Sequence, residues 1–162
     1  MKVCLLITLV LIFSCTNPYN KKNGYYEVRN SNGIPQYIKY YNDKGELDGA
    51  SISFNPKGEL NSFIYMKDGI EIGPSMIYYS DGSLNICDTY IEGKQEGVSV
   101  HYNPKGILTR KSYYRNGLKD GEQYYFNYET GDTIKIEVYS KGKLLDSIVR
   151  FAPLFPSMSR NR

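Results

Sequence analysis

Few residues in this chain have the type and spacing to do chemistry. His101 is the single histidine, and the cysteines are Cys4, Cys15 and Cys87. A metal site needs several such ligands close together, and His101 has no second His or Cys nearby. No glycine loop runs into Lys-Ser or Lys-Thr to cradle a phosphate, and there is no nucleophile elbow. The acids Asp43, Glu46, Asp48, Asp68, Glu71, Asp81 and Glu92 fall in glycine- and asparagine-rich segments, where turn chemistry and solvation account for them. Cys87 lies in an alternating strand pattern with no basic partner to activate its thiol, so it reads as a small packing residue. These features predict no enzyme, no metal and no cofactor. The formal charge of +3 comes from interleaved acids and bases with no basic stripe, which argues against nucleic acid as a partner.

Binding chemistry is better represented. The chain holds 17 tyrosines, each with a flat apolar face and a polar tip. The doublets Tyr25-Tyr26, Tyr40-Tyr41, Tyr78-Tyr79, Tyr113-Tyr114 and Tyr124-Tyr125 place one ring on each side of a strand. Both sides of a single sheet cannot be one core, so some rings stay exposed. Tyr79, Tyr125 and Tyr113 are the candidate binding residues. Their alternative role is packing within the sheet.

One cysteine has a covalent chemistry of its own. Met1-Lys2 is followed by an apolar run from Val3 to Phe13, broken by Thr8. That run is too short to span a bilayer core of about 30 Å as a helix and fits the apolar region of a secretory signal. It ends in Ile12-Phe13-Ser14-Cys15, which resembles a bacterial lipoprotein signal, with Cys15 as the acylated residue. The resemblance implies cleavage before Cys15, attachment to the cell envelope and, because Thr16 rather than aspartate follows, residence in the outer membrane. Only Cys87 then remains as a thiol, so the mature chain has no intramolecular disulfide.

The elements that position these residues recur. Glycine falls at Gly49, Gly73, Gly97 and Gly121, a spacing of 24, and again at Gly45, Gly69, Gly93 and Gly117. Phe54, Tyr78, Tyr102 and Phe126 keep step. Repetition at this length predicts supersecondary units stacked in one dimension. Each unit reads as a hairpin. Asn55-Pro56-Lys57-Gly58 and Asn103-Pro104-Lys105-Gly106 predict a type I turn closed by a left-handed glycine. Asp68-Gly69, Glu92-Gly93 and Asn116-Gly117 predict tight turns with positive φ at both central residues. Gly49, Gly73, Gly97 and Gly121 then open the next strands, as bare backbone over which a Tyr ring such as Tyr90 or Tyr114 can lie. Ile52, Phe54, Met76, Tyr78, Val98, Val100, Tyr102, Tyr124 and Phe126 share one phase, while Ser51, Ser53, Ser75, Ser99 and His101 take the other. In the last unit Ile134, Ile136 and Val138 contradict this comb.

The fold class is therefore all-β, an elongated array of about five antiparallel hairpins forming a twisted, meandering sheet. The expected organisation is a signal peptide at 1–14, the lipidated Cys15 and a tether at 15–23, five repeats at 24–146, and a C-terminal cap and tail at 147–162. The units run 24–48, 49–72, 73–96, 97–120 and 121–146. The cap is expected to fold 147–156 back over the last hairpin, because Ile148, Val149, Phe151, Leu154 and Phe155 are too apolar for a free tail and Pro153 and Pro156 bar a central strand.

Tyr90-Ile-Glu-Gly93-Lys-Gln-Glu-Gly97 and Tyr114-Arg-Asn-Gly117-Leu-Lys-Asp-Gly121 resemble the MORN repeat in its bacterial variant form, over about 24–146. Met66 and Asn42 stand at the Tyr position in units two and one. The resemblance implies successive hairpins and a scaffold or binding role, and similar families carry an antitoxin label. The reading is a non-catalytic, lipid-anchored module that binds protein partners. The alternatives are recognition of a polysaccharide or lipid headgroup by exposed Tyr rings, and an antitoxin-like role.

Overall fold

Alternation of side chains and the chemistry of two turn types decide this architecture. The computed structural model describes residues 24–149; Cys15, the tether and residues 150–162 lie outside it. The described residues form thirteen strands and no helix: β1 (Gly24–Arg29), β2 (Pro35–Tyr41), β3 (Leu47–Phe54), β4 (Leu60–Lys67), β5 (Ile70–Tyr78), β6 (Leu84–Ile91), β7 (Lys94–Gln95), β8 (Gly97–Tyr102), β9 (Leu108–Arg115), β10 (Leu118–Lys119), β11 (Gly121–Phe126), β12 (Thr133–Ser140) and β13 (Lys143–Val149). They make one antiparallel meander in the order β1-β2-β3-β4-β5-β6-β8-β9-β11-β12-β13, with β7 paired to the tip of β6 and β10 to the tip of β9. The chain is thus an all-β array of five hairpins, with β13 added after the fifth.

One edge of the sheet carries the longer loops. Asn55 N–H donates to Glu59 O, Gly58 N–H donates back to Asn55 O, and the Asn55 side-chain oxygen accepts from the amides of Lys57 and Glu59. Asn103 repeats this with Lys105 and Ile107. Gly58 and Gly106 close the turns at φ 87° and 76°. The other edge carries two-residue turns. Asp68, Glu92, Asn116 and Lys141 all have φ near +50°, each followed by a glycine at positive φ, as type I′ geometry demands. The turns are also tied to one another. Gly69 N–H donates to Leu47 O, Gly93 to Glu71 O, Gly117 to Gln95 O and Gly142 to Lys119 O, at 2.8 to 2.9 Å. Each turn is bonded to the unit before it, which gives the array cohesion that a lone hairpin lacks.

Of the glycines that open the following strands, Gly49 and Gly121 do seat a tyrosine, Tyr40 and Tyr113, whose Cγ atoms would stand 3.4 and 3.8 Å from an added Cβ, while Gly73 and Gly97 do not. Gly49, Gly73, Gly97 and Gly121 have φ of 120°, 71°, 78° and 111°. A Cβ at Gly73 or Gly97 would meet no heavy atom within 4 Å. What requires glycine there is the left-handed backbone beside an irregularity in the ladder, such as the register shift between Ile64 and Met66. The comb tyrosines are cross-strand partners of these glycines: Gly73 faces Tyr90, Gly97 faces Tyr114 and Gly121 faces Tyr139. In unit one Gly24 faces Tyr41, so Tyr41 holds the Tyr position and Asn42 starts the next turn.

Two faces follow from the register. One carries a mainly apolar row, Ile38, Ile52, Phe63, Met76, Cys87 and Val100, then Lys111, then Tyr124, Ile136 and Ile148. The extra residue of unit five is taken up in the Asn127–Asp132 loop, so Ile136 and Val138 stay in phase with Tyr124 rather than breaking the comb. The opposite face carries a polar row in which Ser75 faces Asp88, Ser99 faces Ser112 and Gln123 faces Glu137. No second layer covers either face among the described residues, and Tyr41 is their only buried large apolar side chain. Ser147 to Val149, expected to turn back as a cap, instead extend β13 along Lys135 to Glu137.

Candidate binding faces

The three tyrosines singled out from the sequence lie at three different places. Tyr79 starts the loop after β5 and is half-buried; its hydroxyl donates to Tyr102 O of the next unit at 2.7 Å. It does the work of Asn103, whose side-chain amide donates to Tyr128 O at 2.6 Å. Tyr113 lies on the apolar face opposite Val98, with the Lys111 ammonium 5.2 Å from its ring centroid. Its Cβ would stand 3.4 Å from a Cβ built at Gly121. Tyr125 lies on the polar face between Arg110 and Lys135.

Around Tyr125 the strands assemble a polar network. Its hydroxyl donates to Glu137 Oε2 at 2.8 Å, Tyr139 donates to the same oxygen at 3.0 Å, and Lys135 Nζ meets Oε1 at 2.5 Å. These partners, Lys135 foremost, hold the Glu137 carboxyl below the usual range although it is buried. Burial first, and then the bond to Glu137, push the Tyr125 phenol up to about 12. On the other side of Tyr125, Arg110 Nη2 lies 2.6 Å from His101 Nε2 of the strand beyond. A guanidinium only donates, so this nitrogen accepts and the imidazole is neutral. Burial, reinforced by Arg110, lowers the His101 pKa. Asp88 Oδ1, Arg110 Nε, Ser112 Oγ and Gln123 Oε1 are buried on this face and bond to no protein atom; such groups are commonly satisfied by ordered water. The bond from Tyr125 to Glu137 ties β11 to β12 on this face, and Tyr139 bonds to the same carboxylate from within β12.

The surface open to a partner lies elsewhere. On the apolar face Tyr25 faces Tyr40 and Tyr65 faces Ala50, which puts three rings in one row across β1 to β4. They are 54%, 39% and 42% exposed, and Tyr25 and Tyr40 meet edge-on with centroids 5.6 Å apart. Val98 is exposed on the same face further along. Sequence phase could place these rings on a face but not say which would be left uncovered. The edge strand β13 is exposed along its whole length, with Leu144, Leu145, Ile148 and Val149 uncovered. Among the described residues no group of three or more His, Cys, Asp or Glu is placed to hold a metal ion. No helix among them is long and apolar enough to cross a membrane.

No protein-family model matches the chain, and no curated protein matches it. Among solved structures, the crystal structure of TarM is similar at 15% sequence identity and a TM-score of 0.38, over 75% of this chain. The match takes in 20% of TarM, so this chain spans about a fifth of that protein, and a likeness of this degree bears on neither activity nor partners.

Proposed function

We propose that the protein is a non-catalytic, lipid-anchored MORN-like repeat module of the cell envelope, which presents a sheet face to a protein partner. The observation that carries this reading is the uncovered apolar face. A row of aliphatic and aromatic side chains, interrupted by Lys111, runs along the sheet with no second layer over it among the described residues, and the exposed Tyr25, Tyr40, Tyr65 and Val98 on that face leave apolar surface of the kind that marks interaction sites. The lipoprotein-like segment ending at Cys15 supports an acylated, outer-membrane location. The test uses the full chain in two comparisons. Palmitate labelling of wild type against Cys15→Ala reads the anchor, and equal labelling of both would end that part. Capture of envelope protein by wild type, by Tyr65→Glu with Val98→Glu, and by Ile77→Glu reads the face. Ile77 is exposed on the polar face, so loss confined to the first variant supports the reading, and equal capture by all three contradicts it.

A second reading rests on the Tyr25, Tyr40 and Tyr65 row. Rings two strands apart, roughly 10 Å by strand spacing, offer stacking platforms for a polysaccharide or a lipid headgroup. A glycan array that loses its signal on Tyr40→Ala with Tyr65→Ala would favour this reading over the protein partner.

A further inference from the structure

The chain enters the sheet at a particular edge. Gly24, the first described residue, faces Tyr41, and Tyr41 runs directly into the Asn42–Glu46 loop. The entry point therefore lies on the edge that also holds the turns at Asp68-Gly69, Glu92-Gly93, Asn116-Gly117 and Lys141-Gly142. Cys15 is nine residues before Gly24. Fully extended, that stretch reaches at most about 32 Å. A lipid on Cys15 thus attaches the sheet through this edge, and the long-loop edge lies a strand length further from the attachment point.

The same edge carries exposed aliphatic side chains beside its cations. At the hairpin tips Lys67 faces Ile70, Ile91 faces Lys94 and Leu118 faces Arg115. All three pairs fall on the apolar face by alternation, and Ile70, Ile91 and Leu118 are 49%, 57% and 49% exposed. Ile70 and Leu118 pack against the next turn, standing 3.3 and 3.4 Å from a Cβ built at Gly93 and Gly142. They are held outward by the array. Towards the long-loop edge the exposed large apolar side chains are Tyr128 in a loop, Ile77 on the polar face, and Ile148 and Val149 on the last strand. The cations have stems long enough to reach headgroups while the aliphatics sit deeper. Acids at this edge are largely matched: Lys67 pairs with Asp48 at 2.8 Å and lies 4.0 Å from Asp68, which also accepts from Asn42, and Arg115 pairs with Asp120 at 3.5 Å, while Glu92 stands at a turn tip. Attraction then comes mainly from apolar insertion, which is weak alone and effective once an acyl chain holds the edge close.

We infer that the turn edge lies on the lipid bilayer, with Ile70, Ile91 and Leu118 entering the boundary between headgroups and acyl chains. The sheet stands on the membrane and both faces remain open to the surroundings. This rests on the acylation of Cys15. The chain contains no tryptophan, so Ile91→Trp, Leu118→Trp and Tyr128→Trp each introduce one fluorophore into the full acylated protein. Each variant is reconstituted into vesicles of phosphatidylethanolamine and phosphatidylglycerol with brominated acyl chains. The indoles at positions 91 and 118 should be quenched severalfold more than that at 128, with blue-shifted emission. Equal quenching at all three, or none at 91 and 118 in protein that floats with the vesicles, overturns the orientation alone. Protein that takes up no palmitate and does not float overturns the anchor and the orientation together. A blue shift that needs added envelope protein assigns the edge to a protein contact and overturns the lipid one.

Discussion

Replacing Tyr125 by Phe removes one oxygen and keeps the ring between Arg110 and Lys135. The oxygen lost donates to the buried Glu137 carboxylate at 2.8 Å. A hydrogen bond to a charged group contributes about 1.5–3 kcal/mol. Lys135 and Tyr139 still bond to Glu137 in the variant, so no charge is left alone and the cost falls at the low end, about 1.5 kcal/mol. For a domain of this size that lowers Tm by roughly 3–6 °C. The effect has a pH signature. The phenol titrates near 12 in the fold, against about 10 in the unfolded chain. Its contribution is complete below pH 10, where both states are protonated. Between these values the unfolded phenol ionises while the folded one does not, so the contribution falls as pH rises and is lost above about 12. Thermal melts of Tyr125→Phe and wild type at neutral pH give the first number. Phenolate absorbance during alkaline titration gives the second, since the variant should lack one late-titrating component. Equal Tm values together with a missing component near pH 10 would refute the buried network.

Other consequences are separable. Gly73→Ala should cost about 1–2 kcal/mol through backbone strain alone, and Gly73→Asn about half that, because Asn tolerates the left-handed region. Gly49→Ala and Gly49→Asn should both cost more than about 2 kcal/mol, because φ there is 120° and a Cβ would stand 3.1 Å from that of Tyr40; urea unfolding of the four variants checks the contrast. Asn103→Ala should cost about 2–3 kcal/mol by leaving buried loop amides unpaired, and Asn55→Ala about 1 kcal/mol at its more exposed loop; denaturant melts measure both. Because the His101 pKa is lowered in the fold, its stabilising effect is complete above about pH 6.5 and is lost as pH falls through the folded value. Melts of wild type should weaken on acidification through this window more than those of His101→Gln.

Much of the fold was legible because turn chemistry is local. Asn55-Pro56-Lys57-Gly58 and Asn116-Gly117 name their own geometry, and two turn types at a fixed interval leave little but a meander. The role of Gly73 and Gly97 was not legible, since a regular comb does not distinguish a seat for a ring from a left-handed irregularity. The extra residue at Glu129-Thr130-Gly131 points to a different loop in the last unit, as found, but that Ile136 then shares a face with Tyr124 needs the register. Tyr79 and Tyr125 were chosen by phase. Phase places a ring on a face and says nothing of the Tyr102 carbonyl or the Glu137 carboxylate that engages it. Tyr25, Tyr40 and Tyr65 stand exposed together because the small Ala50 lies opposite Tyr65, a cross-strand fact that needs the register.

The central claim is that one face of this sheet meets a protein partner. A photo-crosslinking amino acid placed at Val98, on the apolar face, and in a second variant at Ile77, on the polar face, tests it in intact cells; both sites are exposed and apolar. The account predicts a discrete crosslinked protein from position 98 and none from position 77. The same products from both positions, or none from either, would contradict it.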